Sequence, residues 1–110
     1  MVIDLNKLPI KTMVNFNGGE KELSAHMFID DAGNKIFFGK LIPGASIGLH
    51  THETSCEVIY ILKGKGKVLY QGEELEVSAG LCHYCPKGHA HSLINNSEED
   101  LDFFAVVPLQ

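Results

Sequence analysis

Positive charge is scarce in this chain. Nine lysine or arginine residues stand against fourteen acidic ones, for a formal net charge of −5. A surface of that sign repels phosphate backbones, so nucleic acid is not an expected partner. Long apolar runs are missing too, and none approaches a membrane span. The opening stretch MVIDLNKLPIKT lacks the basic-then-apolar build of a secretory signal, and the expectation is a soluble, cytoplasmic protein with no membrane partner. Neither a low-complexity tract nor a repeat of fixed length breaks the 110 residues, a length that fits one compact domain. With 45% apolar and 21% charged residues, the chain has enough to build a core.

Cysteine is sparse and odd in number. Cys56, Cys82 and Cys85 do not make a disulfide framework. Cys82 and Cys85 have C-x-x-C spacing, but no second pair completes a four-thiolate zinc site. They also lie in an extended-looking run, LCHYC. There, three residues span roughly 10 Å and side chains i and i+3 face opposite ways, too far for a disulfide. Buried, inert thiols are the simpler reading.

Helical periodicity is absent from residue 35 onward, and short strands punctuated by glycine and proline take its place. KIFFGKLI (35–42) precedes the Pro43-Gly44 turn, SIGLHTH (46–52) alternates, and EVIYILK (57–63) is rich in β-branched and aromatic residues. KVLY and ELEV flank Gln71-Gly72, a tight-hairpin signal. LCHYC, HAHSLIN (89–95) and LDFFAVV (101–107) complete the set. Strands at this spacing predict an all-β sandwich or barrel. Residues 1–30 read as an N-terminal arm with possible short strands, MVNF and HMFI, ahead of a barrel domain over 31–110.

Within the barrel region, His50 and His52 are one residue apart on an alternating run. Their side chains should therefore share a face, with Cα atoms roughly 6.6 Å apart. Two adjacent imidazoles suit one divalent ion. The polar turn ETSC should place Glu57 at the start of an antiparallel strand beside the first, where its carboxylate can add a third ligand. A solvent-facing histidine pair on a wet sheet fits that stretch equally well. GLCHYCPKGHAHSLIN then supplies His91, near the start of a strand after a Pro-x-Gly turn.

Together the two stretches resemble the two motifs of the cupin family. The first runs Gly44, five residues, His50-Thr51-His52, four residues, Glu57, six residues, Gly64. The second runs Gly80, five residues, Pro86-Lys87-Gly88, two residues, His91, three residues, Asn95. The resemblance covers about residues 35 to 107. It implies a jelly-roll, double-stranded β-helix barrel in which His50, His52, Glu57 and His91 bind one divalent transition metal ion. Iron, manganese, nickel, zinc and copper all accept such donors, and the spacing does not choose among them.

With those ligands inward, alternation turns Ile59 and Ile61 inward and Val58 and Tyr60 outward. In the last strand Leu101, Phe103 and Ala105 should point in. The family pattern favours Phe37 and Leu41 inside, and His83 and Cys85 on the inner face of LCHYC. The candidate substrate pocket is thus Phe37, Ile59, His83 and Phe103, apolar with a cation at its base. His83 is either a partner to the metal ligands or a satisfied core histidine. His89 is expected at the mouth and His26 on the surface.

The resemblance implies a metal-dependent enzyme on a small organic substrate, with dioxygenase-type chemistry favoured by the apolar walls. The alternatives are a non-catalytic small-molecule binder or sensor, and a metal-dependent isomerase or decarboxylase. A homodimer through one sheet face is expected, with Val58, Tyr60 and Phe38 as its apolar patch.

Overall fold

The computed structural model describes residues 1–110. Ten strands follow in order: β1 (Ile10–Val14), β2 (Glu22–Ile29), β3 (Lys35–Leu41), β4 (His50–Thr51), β5 (Glu57–Lys63), β6 (Lys65–Tyr70), β7 (Glu73–Ser78), β8 (Cys82–Cys85), β9 (Ala90–Ile94) and β10 (Leu101–Val107). They form a six-stranded sheet, β1-β2-β3-β10-β5-β8, and a four-stranded sheet, β4-β9-β6-β7. Every pairing is antiparallel. This is the all-β, two-sheet architecture expected from the sequence. No helix is long and apolar enough to cross a membrane.

One face of each sheet builds the core. Leu41, Ile59, Ile61, Val68, Leu93, Leu101, Phe103 and Ala105 belong to one cluster of buried apolar residues. Burial alternates along β5 and β10, because a strand turns successive side chains to opposite faces. Phe103 meets Phe37 edge to face at 5.9 Å between ring centroids. The β6–β7 hairpin turns on Gln71 (φ 48°) and Gly72 (φ 82°), the doubly left-handed pair of a type I′ turn.

β1 and β2 form an antiparallel hairpin, and β2 pairs with β3 from Leu23↔Leu41 to Ile29↔Lys35. Their connecting turn packs on the segment that leads into β4. Ser46 and Gly48 donate backbone hydrogen bonds to Glu20 and Phe16 carbonyls, both at 2.9 Å, and Ile47 donates to Leu93 on the other side at 2.9 Å. The approach is so close that a Cβ on Gly48 would run into the Asn17 carbonyl. SIGLHTH is therefore mostly loop, with only His50 and Thr51 in a ladder.

A second difference concerns β4 and β5. The sequence reading makes them neighbours, whereas they belong to different sheets. Residues 53–56 carry the chain across the sandwich, so Glu57 faces the histidines from the opposite wall.

Candidate metal centre

His50 and His91 are direct cross-strand partners in the β4–β9 ladder. His52 follows β4 and is held by backbone bonds, its N–H to the His89 carbonyl (3.0 Å) and its carbonyl to the Gly88 N–H (2.6 Å). Glu57 opens β5 on the facing sheet. The His52 Nε2 atom lies 3.1 Å from His50 Nε2, 2.9 Å from His91 Nε2 and 3.1 Å from Glu57 Oε1. Glu57 Oε1 is also 3.0 Å from His91 Nε2, and the four donor atoms all lie within 4.8 Å of one another. His52, Glu57 and His91 are buried and His50 is half-buried.

The other nitrogen of each ring is engaged. His50 Nδ1 faces the Gly48 carbonyl at 2.7 Å, His52 Nδ1 the Ser55 hydroxyl at 2.8 Å, and His91 Nδ1 the His83 Nε2 at 2.9 Å. A carbonyl only accepts, so His50 must carry its proton on Nδ1 and present a lone pair on Nε2. Burial is the main force on this ring, and it holds the imidazole below its ordinary range, in the neutral form a metal needs. Burial alone would raise the Glu57 carboxyl. The hydrogen bonds from His52 and His91, with their charge, outweigh it and bring the group down to about 2.

Three imidazole nitrogens and a carboxylate oxygen about 3 Å apart need protons or a cation between them. A divalent cation satisfies three nitrogens and one carboxylate oxygen at once. Ligand atoms bound at about 2.1 Å stand about 3.0 Å apart at right angles, and about 3.4 Å apart at the tetrahedral angle. Four of the six donor separations, at 2.9 to 3.1 Å, fit right angles, within an overall span of 4.8 Å. The donor set and its spacing therefore fit one metal ion.

Residues 37–107 match the family model for the cupin domain. The chain is a cupin. Relatives cover it from end to end. An oxalate-binding protein of Thermotoga maritima is 34% identical over 114 residues, spanning 99% of this chain and 94% of that protein. The crystal structure of a predicted oxalate decarboxylase from Thermotoga maritima superposes with a TM-score of 0.88 at 30% identity, covering 100% of both chains. The polyketide cyclase RemF of Streptomyces resistomycificus gives 0.78 at 21% identity, covering 100% of this chain and 83% of the other, and speaks for the fold alone.

The cupin places the four metal-ligand candidates together and distributes the other candidates around them. Phe37, Ile59 and Phe103 lie inward, in the apolar core. His83 is inward and buried beside Ile59, and touches His91. Burial holds its imidazole down to about 4, with the neighbouring His91 acting in the same direction. Cys82 is exposed and Cys85 buried, on opposite faces of β8, and both are free thiols. His89 is half-buried rather than open at the mouth, because its Nδ1 pairs with the Tyr70 hydroxyl at 2.6 Å. His26 is also half-buried, since its Nδ1 holds the Leu8 carbonyl at 2.7 Å and pins the N-terminal segment.

Three contributors escape a reading of the motifs: the Gly48 carbonyl, the Ser55 hydroxyl and the Tyr70 ring, which packs 5.5 Å from His83. Ser55 alone had a signal, a hydroxyl three residues after a candidate ligand.

Proposed function

We propose that this cupin holds one six-coordinate divalent ion and uses the positions left by its protein ligands to bind a small chelating dicarboxylate of the oxalate type. The near-right-angle spacing of four of the six donor pairs carries this reading, because four protein ligands on a six-coordinate ion leave two places for another molecule. The oxalate-binding relative, 34% identical over nearly the whole chain, supports the choice of ligand. So does the scarcity of other cations. The chain has no arginine, and none of its lysines is hydrogen-bonded to the four donors. A dianion bound beside the four donors would have the metal as its main electrostatic partner. When bound, the ion supplies the charge that holds carboxylate oxygens. The protein's part is to present three neutral imidazoles and an ionised Glu57, with Gly48, Ser55 and His83 fixing the rings.

Binding is favoured over decarboxylation because Glu57, itself a ligand, is the one carboxylate in the donor cluster, leaving no second carboxyl group there to handle a proton. Oxidative turnover is the second reading, since the same donors accept redox-active iron and manganese.

Calorimetry tests both parts. Oxalate titrated into manganese-loaded protein should release heat. Metal-stripped protein and a His50→Ala/His91→Ala variant should give none. Acetate, which cannot chelate in the same way, should bind at least about tenfold more weakly. Undiminished oxalate binding without metal would refute the reading. Oxygen consumption on adding substrate to iron-loaded protein would move the assignment to an oxygenase.

The pairing expectation belongs with this reading. The outer face of the six-stranded sheet carries the Phe38–Phe104 ring pair, 5.7 Å apart, beside Val58 and the exposed Tyr60 and Leu62. We take it as the contact between two copies of the chain.

A further inference from the structure

Residues 53–56 cross the sandwich and place two groups of the site, the Ser55 hydroxyl on His52 Nδ1 and Glu57 at the head of β5. The backbone hydrogen bonds of this crossing both run to residues 108–110, which follow β10. Cys56 donates to the Pro108 carbonyl at 3.2 Å, and Gln110 donates to the Thr54 carbonyl at 2.9 Å. Ser55 and Leu109 therefore stand opposite each other in an isolated antiparallel bridge. The middle pair of such a bridge turns its own N–H and C=O groups away from the facing strand. Leu109 accordingly sends its N–H outward, to the Asn34 side-chain oxygen Oδ1 at 2.7 Å.

Asn34 lies in the turn between β2 and β3 and is itself held. Its backbone N–H donates to Asp30 Oδ1 and its side-chain Nδ2 to Asp30 Oδ2, both at 2.8 Å. With the amino end of the amide on a carboxylate, the oxygen end is the one left for Leu109. Little else ties the 108–110 segment down. Leu109 is 43% exposed, Gln110 is exposed, and Lys87 reaches the Gln110 carbonyl only through a 3.4 Å surface contact. Segments with few buried contacts open locally at low cost. A hydroxyl 2.8 Å from its partner loses the bond once it recedes by about 0.8 Å.

We infer that Asn34 is a positioning residue for the metal centre: by gripping Leu109 it holds residues 108–110 against the crossing, and so keeps the Ser55 hydroxyl on the His52 ring. The inference rests on the metal reading above and extends it to a turn outside both histidine motifs. Asn34 and residues 108–110 also fall outside the stretch that matches the cupin domain, 37–107. This support is therefore an addition made by this chain at the two ends of the shared fold.

The test is a double-mutant cycle in zinc affinity, measured by competition with a chromophoric chelator. Asn34→Ala should weaken zinc binding about fivefold, Ser55→Ala about tenfold or more, and the double variant no more than Ser55→Ala alone. Losses that multiply in the double variant would mark a general effect on the fold and overturn the inference. So would Asn34→Ala affinity within about twofold of the parent, or Ser55→Ala at parental affinity. In ¹⁵N spectra of the zinc-loaded protein, Asn34→Ala should move the Nδ1 signal of His52 and leave that of His50 in place. Equal movement of the two would also count as refutation. Leu109→Pro removes the N–H and keeps Asn34, so it should repeat the Asn34→Ala loss, and parental affinity there would end the proposal. Should one of these two variants fail to fold, the other completes the cycle. A parent protein that takes up no zinc would bring down the metal reading and this inference together, a result distinct from any difference among the variants.

Discussion

His50, His52 and His91 crowd their Nε2 atoms together, and each ring depends on the group behind it to stay in place. Ser55 is the simplest of those groups to remove. Ser55→Ala should weaken metal affinity by about tenfold or more while the protein stays folded, measured by competition with a chromophoric chelator. The thiols give a second expectation at this scale. Burial, then the charge of Glu57, raises the Cys85 thiol to about 11, so it stays protonated and unreactive at pH 8. Iodoacetamide on the native protein should modify Cys82 alone, and all three cysteines once the chain is unfolded, as counted by mass spectrometry. The four donors were legible in the sequence because their spacing is a property of two short stretches. Their supports were not. Gly48 acts through a carbonyl that every residue possesses, and Tyr70 reaches His83 only through a pairing between sheets.

Strands β5 and β10 were readable with the bounds they have, 57–63 and 101–107, because β-branched and aromatic residues alternate inside turn signals. Alternation says which way a side chain faces but not which sheet its strand joins, and so Glu57 was expected beside His50 instead of across from it. The stretch before β4 misled for a related reason. Ile47 and Gly48 look like strand residues, yet their hydrogen bonds go to Leu93 on one side and to the β1–β2 turn on the other. That turn thereby sets the position of Gly48, whose carbonyl sets the His50 ring. Gly48→Ala should cost about 1–3 kcal/mol of stability through the clash with Asn17 and should also lower metal affinity. Denaturant unfolding and a chelator titration would check the two effects. Unchanged metal affinity in a destabilised variant would separate the turn from the site.

At the scale of the molecule, acid should loosen the metal-free protein in two stages. The His83 imidazole titrates near 6.5 when free and near 4 when buried, so between those values the unfolded chain binds the extra proton and stability falls with falling pH. Glu57 adds a further loss between 4.5 and about 2, since its carboxylate is favoured only in the folded state. The melting temperature of metal-free protein should therefore decline from pH 6.5 downward, and less steeply above pH 4 in His83→Phe. Pairing is the other whole-molecule expectation. Light scattering should give twice the 12.1 kDa of one chain, falling to the single-chain mass in a Tyr60→Glu/Leu62→Glu variant. A single-chain mass for the parent at micromolar concentration would discard that contact.

Glu57 belongs to one sheet, and His50 and His91 to the other. An ion held by all of them would tie the two sheets together through side chains, where no strand pairing joins them. Filling the site and fastening the barrel are then a single thermodynamic event, and the occupied protein gains stability with the logarithm of metal activity. The availability of metal in the surroundings would then set the equilibrium stability of the fold.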